Sequence, residues 1–199
     1  VTIPESTEFD PADTLDLWVP VPNTDLPDAT TWAAERAGDW ARAAGATPEA
    51  TARVAGFLTA LVADPRPDGF SWRLVFIVDP DLGAAVVDLA LVDPPAGTEL
   101  AEVVGTERPD DLGHQVVEFA RNGLQGLQAV RFGLDPAPAD ERPIRVEATL
   151  AVRRDVSPYG SVVVVARTRT THLLPATAAL VPLQYLLTSE PLLGLLTGP

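Results

Sequence analysis

The stretch 144–171, IRVEATLAVRRDVSPYGSVVVVARTRTT, decides how this chain folds. IRVEATLAVRRD and SVVVVARTRTT each alternate at period two, and the loop-like DVSPYG between them predicts an antiparallel β-hairpin. Ile144, Val146, Ala148, Leu150 and Val152 share one face, with Arg145, Glu147, Thr149, Ala151 and Arg153 on the other. The second strand divides into Val162, Val164, Ala166, Thr168 and Thr170 against Val163, Val165, Arg167, Arg169 and Thr171. Setting apolar face beside apolar face puts Leu150 opposite Ala166 and Glu147 opposite Arg169. Val163 and Val165 share a side with two arginines, so a helix is expected over that half of it.

Working outward, Leu173 to Thr188 is apolar on nearly every side and reads as a buried helix, starting near Pro175 and kinked or broken at Pro182. The tail EPLLGLLTGP, with Leu192, Leu193, Leu195 and Leu196, is too apolar for a free end; it docks on its own domain or on a partner. Before the hairpin, His114–Arg121 and Leu127–Leu134 flank Asn122-Gly123, a strong turn signal, with Gly126 a place for a bulge. Phe70 to Val78 and Ala84 to Val92 read as strands, and Thr98 is placed to cap a short helix ending at Gly105. Asp28 to Ala44, capped by Asp28 or Thr30 and ended by Gly45, and a second helix begun by Thr47, Pro48 and Glu49 form a helical hairpin. Trp32 and Trp40 read as core anchors rather than ligand-stacking groups. Thr14 to Val21 is an edge strand because of Pro20 and Pro22, with Leu15, Leu17, Val19 and Val21 on its apolar side and Trp18 on the other. The expected fold is α+β, a mainly antiparallel sheet with helices on both faces as an α/β/α sandwich. Residues 1–13 form a flexible acidic arm and 14–199 a single domain.

Composition narrows the function. The net charge is −14 and every basic residue is arginine. Such a chain repels phosphate backbones and anionic membranes, so no nucleic-acid partner is expected. No membrane span is expected either, for want of about 18 consecutive uncharged apolar residues. Absence of cysteine removes disulfides and thiolate chemistry and leaves the compartment open. The opening VTIPESTEFDPADT lacks a basic region followed by an apolar one, so a cytoplasmic location is expected, with a secreted or processed form still open.

The run LQGLQAVRFGLD, the hairpin and PATAALVPLQYLLTSEPL together resemble the C-terminal half of the PsbP-like α/β/α sandwich family. The resemblance rests on Gly126, Leu127, Ala129, Val130 and Arg131 in one strand, then two long strands and a closing helix. It covers about half the chain. It implies a sandwich fold and a non-catalytic binding or assembly role; the lipobox cysteine of exported relatives is missing, and the helical hairpin is large for the family.

Motifs for nucleotide binding, serine hydrolysis or zinc proteolysis are absent. Two histidines, His114 and His172, are the alternative catalytic candidates, able to work with Glu118 or Glu147 if their strands neighbour each other, although two histidines are more often incidental. The acidic loops lack calcium-ligand spacing, and no metal or cofactor is expected. Arg131, Arg145, Arg153, Arg167 and Arg169 fall on strands expected to lie close together. They read as a docking patch for an acidic partner or, more blandly, as an ion-paired sheet face. The preferred expectation is a non-catalytic interaction or assembly module, working with a protein partner or as a homo-oligomer through the C-terminal tail, the arginine face, or both. A small hydrolase or lyase and a small apolar-ligand carrier beside a tryptophan are the alternatives.

Overall fold

The alternating stretch folds into β6 (Ile144–Val156) and β7 (Gly160–Thr170), with Leu150 opposite Ala166 and Glu147 opposite Arg169. The structure, a computed structural model, describes residues 18–22, 28–79, 83–105, 112–134, 144–156, 160–170, 173–190 and 192. Five further strands complete an antiparallel sheet: β1 (Trp18–Val21), β2 (Trp72–Asp79), β3 (Gly83–Val92), β4 (Gly113–Arg121) and β5 (Leu124–Leu134). Their order is β1-β2-β3-β7-β6-β5-β4, so β1 and β4 are the edges and the long hairpin lies inside.

Helix α4 (Leu173–Thr188) covers the face that carries Leu150. Ala176, Ala179, Leu183, Leu186 and Leu187 pack there against Trp18, Leu74, Val87, Leu89, Val152 and Val164. The helix begins at Leu173 and runs through Pro182 without a break, against the expectation. Proline removes one intrahelical bond, but burial of the three leucines that follow on the sheet outweighs that loss.

The opposite face has two separate covers. Helices α1 (Ala29–Ala44) and α2 (Pro48–Ala63) bury Ala33, Ala37, Val54, Leu58 and Val62 on Val21 and Val75, with Trp32 and Trp40 half-buried alongside. Their ends follow from local chemistry. Asp28 caps α1 by accepting from the Thr31 amide, Gly45 ends it in the left-handed region, and Thr47 caps α2 ahead of Pro48. Helix α3 (Leu100–Val104) forms the second cover, over Leu127, Ala129, Ala151, Val163 and Val165, as the two exposed-phase valines required. Thr98 does not cap it; Glu99 holds the cap position without a side-chain bond.

Three further readings are corrected. Trp18 is 4% exposed on the α4 side while Val21 packs under the helical hairpin, so β1 is buried on both faces. Phe70 precedes β2 instead of starting it and packs with the α3 cluster. Gly126 introduces no bulge: β4 and β5 stay in register from Gly113 opposite Phe132 to Arg121 opposite Leu124. The Phe119 ring occupies the space a Cβ on Gly126 would need. The arm 1–13 and residues 14–17 lie outside the described residues.

Candidate functional site

Four of the eight arginines on the strands reach helix ends. A helix leaves its last carbonyls without internal partners and carries partial negative charge there, so a guanidinium meets both needs. Arg73 on β2 donates to the carbonyls of Leu61, Asp64 and Pro65 at the end of α2. It also bonds Asp64 at 2.9 Å and Asp88 at 2.7 Å. Burial works against its charge, but the bonded Asp88, with Asp64 behind it, wins, and its pKa rises above the ordinary arginine value. Arg131 on β5 donates to Val104 at the end of α3 and lies 3.4 Å from the Glu147 carboxylate. Arg153 on β6 donates to the Thr98 carbonyl at 2.7 Å, just ahead of α3. On the other face Arg154 donates to Leu187 and Ser189 at the end of α4. Burial lowers the Arg154 pKa, with Glu190 acting in the opposite direction.

Two of the five predicted docking arginines, Arg131 and Arg153, are therefore committed to α3, and Arg145 donates to the Leu134 carbonyl. Arg167 differs. It lies on β7, two residues and about 7 Å along the strand from Arg169, in the interval between the helical hairpin over β1–β2 and α3 over β5–β6. Strand pairing arranges this interval in two polar rows. One runs Arg73, Asp88, Arg167, Thr149, and the other His114, Arg131, Glu147, Arg169. Together they hold four guanidinium groups and two carboxylates in a chain whose overall charge is −14.

Within these rows Asp88 is bonded to Arg73 rather than to Arg167. The Arg167 guanidinium sits over the Phe70 ring, 5.0 Å from its centre, and forms no ion pair among the described residues. Its Nε is buried without a hydrogen-bond partner among them. The sequence reading missed Phe70, Arg73 and Arg154. Arg154 had a signal: it stands in phase with Leu150 and Val152, where a charge must be buried and bonded.

The remaining candidates are dispersed. His114 faces Arg131 across β4 and β5, not a carboxylate, and its Nε2 is buried without a partner among the described residues. Glu118 stands four residues further along the same strand, about 13 Å away. β5 and β6 separate β4 from β7, so the strands leading to the two histidines are not neighbours; His172 itself lies outside the described residues. Leu192 is fully buried in the α4 core, while Leu193, Leu195 and Leu196 lie outside the described residues. Among the described residues no group of three histidine, aspartate or glutamate side chains is placed to hold a metal ion, and no helix is long and apolar enough to cross a membrane.

No protein-family model, curated protein or solved structure matches the chain.

Proposed function

We propose that this domain is a non-catalytic interaction module that grips an acidic protein partner through Arg167. The observation that carries this reading is the Arg167 guanidinium, seated on Phe70 and without an ion pair among the described residues. Acidic residues outnumber basic ones 28 to 14. In such a chain, a half-buried guanidinium left without a carboxylate is oriented for a carboxylate from outside. The buried Leu192 moves the weight from the C-terminal tail to the sheet face. The resemblance of the C-terminal half of the sequence to the PsbP-like family implies the same non-catalytic role.

Calorimetric titration with a glutamate-rich peptide tests it. Binding is expected at low salt, weakening as salt rises. Arg167→Ala should lower affinity about tenfold, the range of one charged hydrogen-bonded contact. Arg167→Lys should restore little, because an ammonium neither stacks nor forks in the same way. Equal affinity for the wild type and Arg167→Ala would remove the proposal.

A further inference from the structure

The two edges of the sheet are built differently. β1 is a four-residue strand carrying Pro20, a length and a residue that discourage strand addition. β4 has nine residues, no proline, and Val116 and Val117 exposed at 45% and 39% on its two sides. Its only arginine is Arg121 at the far end, held over Tyr185. Among the described residues, proline and lysine, two devices that blunt an edge, are missing there, and its one mid-strand charge is Glu118.

Geometry shows which groups this edge offers. Asn122 and Gly123 both have positive φ, so Arg121 and Leu124 form the hydrogen-bonded pair that closes the hairpin. Alternation along the ladder then turns the N–H and C=O of His114, Val116, Glu118 and Ala120 toward the open side; the Ala120 carbonyl accepts from the Arg121 guanidinium, which leaves the groups of His114, Val116 and Glu118 and the Ala120 N–H for a further strand. Val116, Glu118 and Ala120 also line a cleft of about 670 Å³ between α3 and the β4–β5 hairpin. Leu100, Ala101, Val116 and Leu127 give that cleft apolar walls, and Glu99 and Glu118 place exposed carboxylates on it.

We infer that β4 accepts an extended peptide segment of a partner as an eighth strand, with a lysine or arginine opposite Glu118 and apolar residues two positions to either side. Backbone bonds to the outward groups hold the segment, and every second side chain enters the cleft. The flanking apolar residues meet Val116 and Ala120, and the basic residue meets Glu118 and Glu99. The overall charge of −14 draws a basic segment in and opposes a second copy of this chain. Arg167 lies three strands away and takes no part.

Fluorescence anisotropy with a labelled peptide that alternates threonine with valine, lysine and valine tests the inference, beside the same peptide with glutamate for lysine. The wild type should prefer the lysine peptide about tenfold, and Glu118→Lys should reverse the preference. Val116→Pro removes only an outward N–H, so it should abolish binding while circular dichroism stays unchanged. Arg167→Ala should bind as the wild type does. Equal affinity for both peptides, or no binding, overturns the inference even if Val116→Pro fails to fold. Concentration-dependent dimerisation that Val116→Pro abolishes would overturn it too, by making a second copy the occupant.

Discussion

Gly126 shows how one missing methyl group shapes this protein. The Phe119 ring fills the place of its absent side chain, a cross-strand arrangement that shields bare backbone on the α4 side. Gly126→Ala should destabilise the fold by about 1–3 kcal/mol through overpacking, read from the urea midpoint, and adding Phe119→Leu should recover part of the loss. Asp28 supplies a pH-dependent contact. Its bonds to the Thr31 side chain and amide hold its pKa below the ordinary 3.8. That stabilisation is complete above the ordinary value and is lost as pH falls through the lowered one. Protection of the Thr31 amide from hydrogen exchange should decline over that interval in the wild type and stay level in Asp28→Asn, whose amide oxygen still accepts. Cap residues such as Asp28, Thr47 and Gly45 were readable because their partners lie within a few positions along the chain. The seat of Arg167 on Phe70 was not, because 97 positions of sequence separate two residues that meet only after the sheet forms.

Helix α3 has five residues, too few to be stable alone, and its place is set by what holds its ends. Arg153 binds the carbonyl before it and Arg131 the carbonyl that ends it. Arg131→Met should cost about 3 kcal/mol, since it leaves Glu147 buried beside an apolar chain. Converting Glu147 to Met as well should return much of that stability in thermal denaturation, as buried ion pairs replaced by hydrocarbon often do. The cost in Arg153→Ala should be smaller, about 1 kcal/mol, with faster exchange confined to α3. The strands around these arginines were legible from alternation, including Glu147 opposite Arg169. Their use as helix ties was not, since a backbone carbonyl leaves no mark in a sequence. Pro182 misled for a related reason: the residue signals a break, and the burial that overrides it belongs to the sheet.

Across the molecule, the three apolar clusters differ in how they are joined. The α4 cluster gathers side chains from all seven strands and forms the main core, whereas the helical hairpin rests on β1 and β2 with Ala84 of β3 beside them. Amides of α1 and α2 should therefore exchange through partial openings below the global unfolding free energy, while those of β6 and β7 should wait for global unfolding. Mass-spectrometric exchange at several denaturant concentrations separates the two regimes. Val164, fully buried under α4 at the centre of the sheet, belongs to the slower unit. Val164→Asp should cost more than about 4 kcal/mol by burying an unpaired charge, and the sigmoidal melt should disappear.

The ties that Arg73, Arg131, Arg153 and Arg154 make from the sheet to helix ends are guanidinium groups, and the chain contains no lysine. Alkali strong enough to neutralise an ammonium leaves a guanidinium ionised. Acetyl donors and cyanate, which cap lysine amines, find no side-chain amine in this protein. Its architecture should therefore outlast both basic media and amine acylation.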